Sequence, residues 1–212
     1  GAMQKVRWGV LGTAKIALQK VLPAMIGSEY CEIRAIASRN IESARRAAAA
    51  LGIPTACGSY EALLADPEIE AVYNPLPNHL HVPLTLQAAA AGKHVLCEKP
   101  LALSAAEAGL LRAAAGKVLI MEAFMVRFHP QWLRARELLR DGRIGALRTV
   151  QVIFCYYNDD PANIRNRADI GGGGLYDIGC YPVVAGRFFF EAEPLRAIAL
   201  IDRDPGFGTD RT

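Results

Sequence analysis

The chain lacks any apolar run long enough to cross a bilayer, so no membrane-spanning segment is expected. Its N-terminus also lacks the apolar core of a signal peptide, and Gly1-Ala2 ahead of Met3 reads as a cloning scar. There is little excess charge. Lys and Arg number 24 against 21 Asp and Glu, with the signs interspersed, which leaves no electrostatic footprint for nucleic acid. Paired cysteines are missing as well. Cys31, Cys57, Cys97, Cys155 and Cys180 are odd in number, widely spaced and without a C-x-x-C, which points to reduced thiols in a cytoplasmic protein. His79 and His81 stand two apart with no other ligand spaced to join them, so no metal site is expected. What remains is a chain of 212 residues, 52% hydrophobic and 21% charged, with room for one full globular domain and part of a second.

Strands and helices alternate from the start. Val6 to Leu11 reads as a buried strand and runs into Gly12-Thr13-Ala14-Lys15-Ile16-Ala17. This is a dinucleotide fingerprint, G-x-G-x-x-A, with Ala14 in place of the second glycine. Gly12 would make the tight turn, and the following helix would offer its N–H groups and positive dipole end to a pyrophosphate. The motif is degenerate, and its place between a strand and a helix is what supports it. Pro23 is expected to end or kink that helix. The second strand, Glu32 to Ala37, stops at Ser38-Arg39, where an NAD enzyme usually carries a carboxylate for the ribose hydroxyls. A guanidinium there would instead pair with the extra phosphate of NADP, so NADP is expected over NAD. Asn40 is placed to cap the next helix, Ile41 to Leu51, which Gly52 closes.

A short strand at Pro54–Gly58 and a short helix at Ser59–Ala65 follow, then a fourth strand, Ile69 to Tyr73. That strand enters Asn74-Pro75-Leu76-Pro77-Asn78-His79-Leu80-His81, a rigid turn where such a sheet binds its ligands. His81 stands at the start of the next helix, to contact a cofactor or to cap and pack that helix. The run Gly92 to Leu101, GKHVLCEKPL, is the organising stretch. A buried strand from His94 to Cys97 ends in Glu98-Lys99-Pro100, and Lys99 is aimed at the crevice beyond the strand ends. Ser104-x-x-Glu107 is a capping box for a further helix, and Val118 to Met121 a sixth strand. Alternation of this kind predicts a parallel, doubly wound sheet with right-handed crossovers.

Near Phe124 the pattern changes, which divides the chain into a dinucleotide-binding domain at 1–124 and a substrate domain at 125–212. Gln131 to Leu139 is an amphipathic helix bridging the two. Leu147 to Tyr157 and Leu195 to Ile201 read as strands of an antiparallel sheet. Gly171 to Pro182, GGGGLYDIGCYP, reads as a glycine run entering a helix, with Asp177 and Tyr181 four apart on one face. A carboxylate beside a phenol suits a polar substrate, although on spacing alone a solvated helical face is the commoner meaning of such a pair.

The stretches RWGVLGTAKIA, AVYNPLPNHLH, AGKHVLCEKPL, EAFMVRFHP and GGGGLYDIGCYP occur in the order characteristic of one family. The chain resembles the glucose–fructose oxidoreductase / inositol dehydrogenase / rhizopine catabolism family. That resemblance implies an α/β chain, a Rossmann doubly wound parallel sheet followed by an α+β domain with an open, mostly antiparallel sheet. It implies an active site with Lys99 beside the nicotinamide and Asp177 at the family's helix aspartate. Tyr181 stands where the branch containing D-xylose and dihydrodiol dehydrogenases has tyrosine, and Asn163 and Arg165 match that branch's substrate loop. The cofactor-binding set becomes Gly12, Thr13, Ala14, Lys15, Ile16, Ser38, Arg39, Pro75, Leu76, Asn78, His81, Glu98, Lys99 and Arg127. The resemblance also implies further strands after Thr212, a shorter helix than usual before Lys117, and a homo-oligomer formed through the second sheet.

The expected function is reversible hydride transfer between NADP(H) and a sugar or cyclic diol. A phenol titrates near 10, and an ammonium beside it favours phenolate, which would be the role of Lys99 toward Tyr181. The alternative is a sensor that binds NADP without catalysis, a reading that the presence of Lys99, Asp177 and Tyr181 disfavours.

Overall fold

A computed structural model describes residues 3–212, and Gly1-Ala2 lie outside the described residues. The chain forms two compact units, Gly1–Ala123 and Phe124–Thr212.

The first unit is built on six parallel strands: β1 Val6–Leu11, β2 Cys31–Ala37, β3 Thr55–Cys57, β4 Ala71–Asn74, β5 His94–Glu98 and β6 Ile120–Ala123. They lie in the order β3-β2-β1-β4-β5-β6, so the chain reverses its direction of progress between β1 and β4. The helices are α1 Leu22–Ile26, α2 Ile41–Leu51, α3 Tyr60–Leu64, α4 His81–Ala90, α5 Ala105–Gly109 and α6 Arg112–Ala115. Where a strand is covered on both faces, consecutive positions are apolar, because successive side chains point to opposite sides. Leu11, Ala37, Val72 and Val95 accordingly join one core with Leu63 and Leu84, while Val10, Ile36 and Tyr73 join the other with Leu22 and Ala48. Each such aliphatic side chain contributes about 1.5–3 kcal/mol by leaving water.

The caps follow the sequence. Asn40 accepts from the N–H groups of Glu42 and Ser43, and Ser104 accepts from that of Glu107. One expectation is met only in part. Pro23 does not end the first helix, which stays helical from a π-helical turn at Ala17–Val21 into α1, with the proline in the first turn of α1 directly after that irregularity. The capping box at Ser104 opens α5 as expected, and a break after Gly109 separates α5 from α6.

In the second unit, α7 Pro130–Arg140 starts with Pro130 and a cap from His129, and α8 Cys180–Phe190 packs against it. Trp132 meets Phe188 and Phe189 at centroid distances of 5.5 and 5.2 Å, and the Arg136 guanidinium lies 4.1 Å from the Phe188 ring centre. The expected strands at Leu147–Tyr157 and Leu195–Ile201 are not formed. Among the described residues of this unit the β-pairing is a single antiparallel bridge, Arg203 with Asp210. A strand needs a neighbour for its N–H and C=O groups, and neither segment has a ladder partner here. Leu195, Ile198 and Leu200 are consequently more than 90% exposed.

Candidate active site

The carboxyl edge of the first unit's sheet gathers most of the expected cofactor residues. Gly12 leaves β1 with φ +82°, and its N–H donates to the Ala37 carbonyl at 2.7 Å. A side chain is excluded there, since a Cβ would lie 2.7 Å from Leu76 Cδ2 in a backbone conformation that L residues rarely adopt. Thr13 and Ala14 are half-buried beyond it, and Lys15 and Ile16 are exposed on the first helical turn. At the end of β2 the Ser38 hydroxyl accepts from the Asn40 N–H, and Arg39 is exposed. The glycine cradle, the helix start behind it and the guanidinium one strand away fit the pyrophosphate and 2′-phosphate of NADP.

The turn after β4 is held from inside. Asn74, fully buried, accepts from the Leu76 N–H at 3.2 Å and donates to the His81 carbonyl at 3.2 Å and to Thr85 Oγ1 at 3.4 Å. Pro75 and Leu76 are thereby fixed over the strand ends, and Asn78 opens a 3₁₀ turn, Asn78–Leu80. His81 does not have the role of a cofactor ligand. It is 1% exposed, with Nδ1 2.6 Å from the Pro100 carbonyl oxygen and Nε2 2.6 Å from that of Leu76. Both ring nitrogens face backbone oxygens, and the neutral ring donates its one N–H to one of the two. Burial pushes this imidazole below its ordinary value, against the opposite pull of the two carbonyls and of Glu98.

Glu98 and Lys99 are half-buried where β5 ends, and the Lys99–Pro100 peptide is cis. Tyr73 Oη donates to Glu98 Oε1 at 2.6 Å, and burial, followed by the Glu98 charge, pushes that phenol far up. Burial likewise pushes the Cys97 thiol up to about 12. A thiol so buried is inert. Glu122 on β6 accepts the Leu101 N–H at 2.6 Å.

The remaining expected residues lie in the second unit. Arg127 is exposed on a 3₁₀ turn, Met125–Phe128. Asn163 caps the turn Ile164–Asn166 by accepting from the Arg165 N–H, and Arg165 Nε reaches Asp177 Oδ2 at 3.0 Å. Tyr156 Oη donates to the same Asp177 oxygen at 2.7 Å. Burial and the Asp177 carboxylate push the Tyr156 phenol well above its ordinary range. Asp177 sits on a π-helical turn, Leu175–Gly179, that continues into α8, where Tyr181 packs against Phe124 and Phe154 at 5.5 Å each. The glycine run gives this turn its close approaches. Gly173 adopts φ +115°, and the Gly174 and Leu175 N–H groups donate to the Asp210 carbonyl and carboxylate at 2.8 and 2.6 Å. A cavity of about 140 Å³ lies beside this cluster, lined in part by Tyr156, Asn158, Arg165, Asn166 and Asp210.

Two separate patterns thus converge on one kind of chemistry: a nucleotide edge with a lysine, and a carboxylate held by an arginine and a phenol. A family model described as "Oxidoreductase family, NAD-binding Rossmann fold" matches residues 6–122, and the "GFO/IDH/MocA C-terminal domain" matches 132–212. The chain belongs to the GFO/IDH/MocA family. An uncharacterized oxidoreductase, ORF334, of Rhizobium meliloti is 53% identical over 99% of this chain and 63% of its own length. D-xylose 1-dehydrogenase (NADP(+)) 2 of Haloferax volcanii is 49% identical over 86% of this chain and 56% of its own. Among solved structures, the 3-ketoreductase KijD10 from Actinomadura kijaniata, in complex with NADP and TDP-benzene, matches with TM-score 0.83 and 40% identity. That match covers 88% of this chain and 58% of KijD10. KijD10 has also been solved with a tyrosine changed to phenylalanine and with a lysine changed to alanine. The chain spans roughly three fifths of the length of these curated relatives.

Tyr73, Asn74, Glu122 and Tyr156 were not among the expected site residues. Asn74 between a strand and two prolines carried a signal, whereas Tyr156 was hidden in a run that reads as a strand.

Proposed function

We propose that this chain belongs to an NADP-dependent oxidoreductase that moves a hydride between the nicotinamide and a hydroxyl- or carbonyl-bearing carbon of a sugar or cyclic diol. The observation that carries the reading is the single carboxyl edge on which Gly12, Arg39 and Lys99 stand, at the ends of β1, β2 and β5. In this reading 1–124 binds the dinucleotide and 125–212 the substrate. Bound NADP supplies the hydride acceptor, and the protein supplies orientation and proton handling. Arg39 pairs with the 2′-phosphate, which disfavours NAD. Lys99 donates to the substrate oxygen as negative charge develops there. Tyr181 takes the hydroxyl proton during oxidation and returns it during reduction, its phenol eased toward phenolate by the Lys99 ammonium. Asp177, held by Tyr156 and Arg165, accepts from neighbouring substrate hydroxyls and so fixes which carbon faces the nicotinamide.

With ladder partners present, Leu147–Tyr157 and Leu195–Ile201 would pair into an open antiparallel sheet and bury the apolar side chains now exposed. Subunits would then associate through that sheet, in a cytoplasm that keeps the five cysteines reduced. The test is steady-state reduction of NADP and of NAD with a panel of aldoses and cyclic diols. NADP reduction with at least one of them, abolished by Lys99→Met and by Tyr181→Phe, is expected. A preference for NAD, or full turnover in both variants, would refute the reading.

A further inference from the structure

The run Glu98-Lys99-Pro100-Leu101 leaves the sheet edge with three of its four residues gripped by side chains from elsewhere in the first unit. Tyr73, on β4 and fully buried, donates to Glu98 Oε1 at 2.6 Å. The other Glu98 oxygen accepts the Lys99 N–H at 3.3 Å, so the carboxylate passes that grip on to the lysine's own backbone. His81, the first residue of α4, faces the Pro100 carbonyl with Nδ1 and the Leu76 carbonyl with Nε2, each at 2.6 Å. One imidazole thus spans the turn carrying Lys99 and the turn whose Leu76 overhangs Gly12. Glu122, on β6, accepts from the Leu101 N–H at 2.6 Å. The grips come from both neighbouring strands and from the helix between them, and they enclose Lys99 on both sides in sequence.

Burying a phenol and an imidazole costs free energy unless their polar atoms are satisfied. Tyr73 finds its partner on this turn, His81 sets one ring nitrogen against it and the other against Leu76, and both side chains are shut off from solvent. We propose that Tyr73 and His81 are positioning residues for Lys99, fixing the backbone from which its ammonium reaches the reacting oxygen without themselves touching substrate or cofactor. The inference rests on the role given to Lys99 in the proposed function. Rates of oriented reactions are sensitive to this kind of support, since a misplacement of about 1 Å costs on the order of 100-fold.

The experiment uses Tyr73→Phe and His81→Gln in the whole chain with its six lysines reductively dimethylated with ¹³C. The Lys99 resonance is assigned by its loss in Lys99→Arg. In each variant the Lys99 resonance is expected to move while those of Lys15, Lys20 and Lys117 stay. In unlabelled protein, kcat is expected to fall by roughly 10- to 100-fold with the KM for NADP within about twofold. Tyr73→Phe deletes one oxygen only and so serves if His81→Gln does not fold. An unmoved Lys99 resonance, or a moved resonance with wild-type kcat, would overturn the proposal. Absence of turnover in the parent protein would refute the proposed function instead, and the Lys99 resonance would then decide the positioning by itself.

Discussion

Replacing Gly172 by alanine probes how tightly the substrate-side turn is built. A Cβ at this position would sit 2.6 Å from the carbonyl oxygens of Arg165 and Arg167 and 2.8 Å from that of Ile164. Carbon–oxygen contacts settle near about 3.3–3.6 Å, so the turn would have to retreat by roughly 0.7 Å. That turn is closed by the Gly172 N–H on the Arg167 carbonyl at 2.9 Å and the Gly173 N–H on the Arg165 carbonyl at 2.7 Å. Retreat therefore stretches two hydrogen bonds and draws Arg165 away from Asp177. Overpacking of this kind costs about 1–3 kcal/mol. The two tryptophans fall one in each unit, so Trp132 in a Trp8→Phe background reports urea unfolding of the second unit alone. We expect a loss of about 1–3 kcal/mol there, with a several-fold rise in the KM for sugar and an unchanged KM for NADP. Stability within about 0.5 kcal/mol of the parent, with an unchanged sugar KM, would mean that the turn yields to a methyl group without disturbing Asp177.

Tyr156→Phe removes the phenol from Asp177; at a half-exposed site a charge-assisted hydrogen bond is worth about 1 kcal/mol, so the sugar KM should rise roughly fivefold with NADP binding unchanged. Arg39→Ala should lower the kcat/KM ratio of NADP over NAD by about tenfold or more, measured with one saturating sugar. Cys97 and Tyr73 have folded values raised above their unfolded ones, so their contribution to stability is complete below about pH 9 and is lost as pH rises. For Cys97 the shift from 9.0 to about 12 corresponds to about 4 kcal/mol lost by pH 12. His81 has a lowered folded value and acts in the opposite direction, removing stability as pH falls below about 6.5. Urea midpoints of the first unit across pH 5–11, with and without His81→Gln and Cys97→Ala, separate the two limbs.

The parallel sheet was legible because the central parts of its strands are buried on both faces and read as short apolar runs such as Val95–Cys97. Asn40 and Ser104 were readable as caps for a similarly local reason. Leu147–Tyr157 was not, since β-branched and aromatic residues state only that a segment suits a ladder, and the ladder depends on partners that composition cannot supply. His81 is the instructive case at the site. Its position left a cofactor contact and a packing role both open, and its two nitrogens face carbonyls at Leu76 and Pro100, one of them nineteen residues further along the chain. Tyr156 escaped notice because its partner, Asp177, is 21 residues away and only folding joins them.

In the proposed mechanism an ammonium and a phenol act on one substrate oxygen. A crystal structure with NADP and an unreactive sugar analogue measures this directly. Lys99 Nζ and Tyr181 Oη are both expected within about 3.2 Å of the oxygen on the carbon facing the nicotinamide. Either atom lying beyond hydrogen-bond reach of that oxygen, with no water between, would contradict it.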